Sequence, residues 1–197
     1  MTMRPALLEH GHRLRAKMFI RLVWLLSGQR MDAVAQMALY RPQFFGDPVL
    51  TLCAEVLRGP SYWSAAEREY FAVFTSRLNE CPFCVRIHTE TTRVESVGAI
   101  DANDSTSIRS EAAAMLPLLE KVTLTPDQVA SADVDAVRAA GIPDEALVAA
   151  LHVNVIFNIM NRLANAFDFS WDSAQHVRIG AQVIHRVSYR SPRFLMR

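Results

Sequence analysis

Residues 69–88 read Glu-Tyr-Phe-Ala-Val-Phe-Thr-Ser-Arg-Leu-Asn-Glu-Cys-Pro-Phe-Cys-Val-Arg-Ile-His. Cys81 and Cys84 stand three apart and Cys84 and His88 four apart, so on a helix the three share one face. Pro82 suits a first helical turn, which puts the Cys-x-x-Cys at a helix start. Orphan N–H groups and the positive end of the helix dipole stabilise a thiolate there, on Cys81 or on Cys84. His88, one turn on, is placed to take or give a proton. Upstream, Glu69 shares its helical face with Ala65, Ala72, Val73 and Ser76, which are small enough to admit another helix. A carboxylate on such a face is desolvated unless paired, and desolvation raises its pKa towards the range useful for proton transfer. Two thiols, an imidazole and a carboxylate are the parts of a proton relay.

Rival chemistries are weaker. Structural zinc takes four ligands, and beyond Cys81, Cys84 and His88 only a remote Cys53 or His152 could complete the set. Covalent haem needs a histidine directly after the second cysteine, where Val85 stands. Buried structural cysteines beside a satisfied core histidine are the plain alternative.

Working outward, the pattern is helix after helix. A first helix is expected over about Leu7 to Leu26, ending near Gly28. A second spans Met31 to Leu39, closed by Arg41-Pro42. Pro48 opens a third, which Gly59-Pro60 stops. Ser64-Ala65-Ala66-Glu67 is a capping box for a helix to about Asn79, with Tyr70, Phe71, Phe74 and Leu78 on its apolar stripe. The Cys81-Pro82 helix continues to about Val97, before Gly98. Asp101 to Ser107 reads as a loop and Ser110 to Leu119 as a helix. Further starts fall at Thr125 and Ser131, a long helix runs from Pro143-Asp144-Glu145 to about Phe167, and a last one spans Ser173 to Val187, before Pro192. No run alternates with period two for long enough to be a strand. The expected fold is all-α: one domain over residues 1–197, with a core at about 42–168 and helical extensions at both ends.

The chain has 197 residues, about one domain's worth, and 51% of them are apolar, which suits a packed core. With 21 Lys+Arg against 20 Asp+Glu, no charge excess points to nucleic acid. Three cysteines, an odd number, argue against a secreted disulfide scaffold. Met18 to Leu26 is too short to span a bilayer and is broken by Arg21. It reads as an amphipathic helix packed on the domain or on another subunit. Cys53 reads as an inert core thiol and His152 as a satisfied core histidine. Asn154, Asn158, Asn161 and Asn165 share a face of the long helix, which is otherwise apolar and expected to be largely buried. The asparagines need partners, on neighbouring helices or across a subunit interface, or else they wall the pocket near the cysteines. Arg162 is expected in an inter-helix ion pair, and Arg186, Arg190, Arg193 and Arg197 in a solvated tail.

Glu69, Cys81, Cys84 and His88 match the Glu-x11-Cys-x-x-Cys-x3-His signature of the alkylhydroperoxidase D-like proteins, in the carboxymuconolactone decarboxylase-like superfamily. Trp63 to Glu69, Gly141 to Leu147, Phe157-Asn158 and Asn161-Arg162-Leu163 resemble its peroxidase-related branch, over roughly residues 42 to 168. The resemblance implies a compact all-α domain assembled into homo-oligomers, trimers or hexamers, and thiol-dependent reduction of hydroperoxides in the cytoplasm. It implies Cys84 as the sulfur oxidised to sulfenic acid, Cys81 as its disulfide partner, and His88 and Glu69 as proton movers, with Cys81 on the relay. A dithiol or lipoyl-type partner would restore the thiols. No metal, haem or flavin is implied, and no nucleic-acid or membrane partner. The best-characterised members carry a histidine where this chain has Phe83, though many relatives have an aromatic residue there. On the same fold, a thiol-exchange or redox-sensing module, or a non-enzymatic assembly protein, is the alternative.

Overall fold

The structure, a computed structural model, describes residue 4 and residues 6–190. Pro192, Arg193 and Arg197 of the expected basic tail therefore lie outside the described residues. Within them the chain is all-α: α1 (Leu7–His10), α2 (Leu14–Ser27), α3 (Ala33–Tyr40), α4 (Asp47–Arg58), α5 (Ala65–Leu78), α6 (Pro82–Glu95), α7 (Ser110–Leu124), α8 (Ser131–Ala139), α9 (Asp144–Phe167) and α10 (Ala174–Val187). A π-turn at Pro42–Gly46 and short 3-10 turns at Ser105–Ser107 and Pro126–Gln128 connect them.

Helix α5 is the hub. Its small face admits α6 along its whole length and α9 across it, and α7 packs on a third side. Ser64 and Glu67 form the expected capping box, each bonding the other's backbone N–H. Glu67 also takes Arg109 at 2.6 Å, which ties the head of α5 to the head of α7. The start of α9 is pinned by Trp63, whose indole N–H donates to the Ala146 carbonyl at 2.7 Å. Helix α10 lies along α6 and buries Val177 and Ala181 in the main core. The C-terminal helix is thus packed into the same apolar cluster as α5, α6 and α9.

Five expectations need correction. The first helix is broken at Gly11, where a Cβ would lie 2.6 Å from the Leu7 carbonyl oxygen and 2.9 Å from the Tyr40 ring. The chain turns there so that His12 reaches the Gln36 carbonyl at 2.9 Å, and only then begins α2. Helix α7 passes through Pro117 and ends at Leu124, five residues beyond the expected stop. Buried Met115, Leu118 and Leu119 hold both sides of the proline in place, so tertiary packing overrides the local breaker. Helix α9 has the expected bounds but is not buried all round. Val148, Val155 and Ile159 are exposed, and His152 between them is a surface residue, not a core histidine. Among the described residues Arg162 forms no ion pair: it donates to the Asn158 carbonyl and side chain one turn back. Helix α2 touches α3 through Ala16 and Leu39 but leaves Leu14, Met18, Leu22, Leu25 and Leu26 exposed.

Candidate active site

The turn between α5 and α6 builds the thiol pair. Glu80 adopts φ 49, and the Cys81 N–H closes onto the Ser76 carbonyl at 2.9 Å, which reverses the chain within two residues. Cys81 thereby becomes the N-cap of α6, and Cys84 falls in its first turn. Both thiols are reduced and buried, at 0% and 3% exposure. The Cys81 sulfur lies near the Cys84 thiol, the N–H groups of Cys84 and Phe83 at the helix N-terminus, and the Asn161 amide. Against burial, these bring its pKa down to about 7. Cys84, as the donor of the pair and in a dry environment, is pushed up. The two thiols are thus pushed in opposite directions, Cys81 down at the helix N-terminus and Cys84 up. Cys53 is a separate buried thiol that burial, with the Glu69 charge, pushes up to about 12.

A thiolate absorbance titration at 240 nm should therefore show one midpoint near 7 and none from Cys53 below pH 10. Cys84→Ala should move that midpoint upward, because it removes the donor that contributes most. An unchanged midpoint in Cys84→Ala would place the anion elsewhere.

One face of α6 continues inward from the thiols as Cys84, His88, Thr91 and Glu95. His88 and Thr91 converge on Glu69, which is fully buried on α5. Glu69 Oε2 accepts His88 Nδ1–H at 2.6 Å and Thr91 Oγ1–H at 2.8 Å. Oε1 accepts Arg58 Nη2–H at 2.6 Å and the Tyr189 hydroxyl at 2.7 Å. Burial raises a carboxyl pKa, but the His88, Arg58 and Tyr189 contacts outweigh it and hold Glu69 at about 2. The sequence-level expectation of a raised pKa is therefore reversed, because the carboxylate is paired. A permanent anion does not exchange protons at neutral pH. It instead holds a proton on His88 Nδ1, so that in the neutral ring the acceptor is Nε2. Among the described residues no hydrogen bond joins His88 to either sulfur. Its ring stands edge-on to Phe157, with centroids 4.5 Å apart.

The asparagine stripe finds its partners on neighbouring helices. Asn154 is buried and bonds Thr75 and Thr123 on α5 and α7. Asn161 bonds Ser76 and Asn79 and stands beside both sulfurs. Phe83 does not project into the space between the cysteines. It stacks on Trp171 at 4.7 Å and 4°, and its carbonyl accepts the Trp171 indole N–H at 3.0 Å. Three site residues escape a sequence reading. Thr91 lies one turn beyond His88, where helical spacing could have found it. Arg58 and Tyr189 carry no local signal. Among the described residues no group of three or more His, Cys, Asp or Glu side chains is arranged to hold a metal ion.

No protein-family model and no curated protein matches the chain. Solved structures do. One is an uncharacterized peroxidase-related protein from a Silicibacter species, 20% identical, with a TM-score of 0.67 over 82% of this chain and 87% of that one. Another is described as an alkylhydroperoxidase AhpD core, an uncharacterized peroxidase-related protein from Ralstonia eutropha. It is 22% identical, with a TM-score of 0.67 over 85% of this chain and 92% of that one. The chain has the all-α fold of these proteins.

Proposed function

We propose that this chain is a thiol-dependent peroxidase-type oxidoreductase of the alkylhydroperoxidase D-like kind. The observation that carries the reading is the thiol pair at the head of α6, with the Cys81 thiol pushed down and an oriented imidazole one turn away. The fold shared with peroxidase-related proteins, and the match of Glu69, Cys81, Cys84 and His88 to the family signature, support it.

The resting pair holds one proton. In the proposed cycle the Cys81 thiolate draws that proton from Cys84, which attacks the terminal peroxide oxygen as a thiolate. The S–O bond forms, the O–O bond breaks, and the alkoxide takes the proton back from Cys81 to leave as alcohol. The Cys81 thiolate then attacks the Cys84 sulfenic acid. The S–S bond forms and hydroxide departs, taking a proton that enters through His88 Nε2, to become water. One hydroperoxide is reduced by two electrons and one dithiol is oxidised by two. A dithiol or lipoyl-type donor returns the pair to the reduced state by exchange. A cytoplasmic setting, where thiols are kept reduced, suits this cycle.

The test is stoichiometric. Reduced protein treated with one equivalent of a small organic hydroperoxide should form a Cys81–Cys84 disulfide and release one equivalent of alcohol. With Cys81 replaced by serine, a dimedone adduct should appear on Cys84. Adduct on Cys81 in the reciprocal variant alone would exchange the two roles. Oxidation as slow and unselective as in the urea-unfolded chain would overturn the peroxidase reading.

A further inference from the structure

We infer that Tyr189, from the end of the C-terminal helix, is a positioning residue that completes the anchoring of Glu69 and so sets the His88 tautomer. The inference rests on the peroxidase reading for its kinetic consequence, but not for its geometry. Its hydroxyl donates to Glu69 Oε1 at 2.7 Å, the atom that Arg58 also holds. With His88 and Thr91 on Oε2, the carboxylate has four donors. Without Tyr189, Oε1 has a single donor and the carboxylate plane is free to swing about that contact.

The backbone shows that the placement is specific. Ser188 and Tyr189 are both left-handed, with φ 52 and φ 62, although neither is glycine. Two consecutive residues in that region are costly for L side chains and persist only where the surroundings impose them. The turn they make directs Tyr189 back under α10 instead of out into solvent. The Tyr189 ring then lies over the Arg58 guanidinium, 5.0 Å from centroid to Cζ. Arg58 in turn holds Glu95 at 2.9 Å, and Glu95 is met at 3.1 Å by His185 of α10. One helix end thus contributes three contacts to one charge network. Among the described residues the phenol has no hydrogen-bond partner other than Glu69.

Tyr189→Phe isolates the effect, because the ring stays over Arg58 and only the hydroxyl is lost. In the full-length reduced protein, at a pH where the His88 ring is neutral, its 15N chemical shifts should report Nδ1 protonated and Nε2 as the bare nitrogen. In Tyr189→Phe at the same pH the two shifts should move towards each other, as the Nε2–H tautomer becomes populated. The rate of Cys81–Cys84 oxidation by a small organic hydroperoxide should fall roughly tenfold, the size of one charge-assisted hydrogen bond. Ser188→Gly relieves the left-handed turn without touching the hydroxyl, so its His88 shifts and rate should match the wild type. A role confined to packing would leave the His88 shifts of folded Tyr189→Phe unchanged, and that result overturns the inference. Should the wild-type protein fail to react with hydroperoxide, the peroxidase reading falls, while the imidazole shifts still decide the role of Tyr189.

Discussion

Arg58→Met is expected to lower folding stability by about 3–5 kcal/mol at pH 7, read from urea denaturation. Arg58 is a full cation on Glu69, at 2.6 Å, and Glu69 is completely buried. Methionine fills most of the space but leaves a buried anion with neutral donors and one imidazole. In the wild type Glu69 is held at about 2 against an ordinary 4.5, so its folded pKa is depressed. Its contribution, roughly 3 kcal/mol, is complete above the unfolded pKa and is lost as pH falls from 4.5 towards 2. In Arg58→Met the folded pKa rises. Once it exceeds the unfolded value the sign reverses, and the carboxyl destabilises the fold increasingly as pH rises through that range. The stability gap between the two proteins should therefore be widest near neutrality and narrow towards pH 4. Adding Glu69→Gln to Arg58→Met should recover part of the loss at pH 7. A gap that is the same at pH 7 and pH 4, with no recovery in the double variant, would assign the loss to packing.

Cys84→Ser is expected to abolish multiple turnovers of a small organic hydroperoxide with a dithiol donor, a loss of about 10³-fold or more. Serine keeps the size and a hydrogen bond to Cys81 but cannot be oxidised to a sulfenic acid or close a disulfide. Cys81→Ser should also fall steeply, because it removes both the lowered thiol and the disulfide partner. It should nevertheless consume one peroxide per chain before stalling. Cys53→Ala should stay within about twofold of the wild type, since burial pushes that thiol up to about 12 and it sits outside the pair. Peroxide disappearance followed colorimetrically, with the dithiol in excess, separates the three. Equal turnover in Cys84→Ser and the wild type would remove the peroxidase mechanism.

Much of this architecture was legible before any coordinate. The capping box at Ser64, the proline after Cys81 and the Pro143-Asp144-Glu145 start are signals carried by a few adjacent residues. The corresponding helices begin there. The expectations that failed share a different cause. Gly11 breaks a helix because Tyr40, nearly thirty residues on, approaches its backbone, and Pro117 is tolerated because buried neighbours hold both sides of it. His152 looks like a core residue by composition and is exposed because α9 keeps one face open.

The site divides along the same line. Spacing of three and four residues brings Cys81, Cys84 and His88 to one face of α6 whatever the rest of the chain does, because helical geometry is local. The small face around Glu69 likewise announces a close helix pair, and α5 and α6 form one. The charge state of Glu69 was beyond that kind of reading. It is the outcome of a competition between burial and four donors, and two of these arrive from α4 and from the end of α10, 11 and 120 residues away along the chain. Which thiol of the pair is lowered was open in the same way, because it hangs on which cysteine stands at the N-cap and on the approach of Asn161 from α9. The sequence by itself determined an all-α chain with two thiols, an imidazole and a carboxylate in register. Only the tertiary structure decided that the carboxylate is a permanent anion that orients, since a pKa is set by every group within a few ångströms, however distant in sequence.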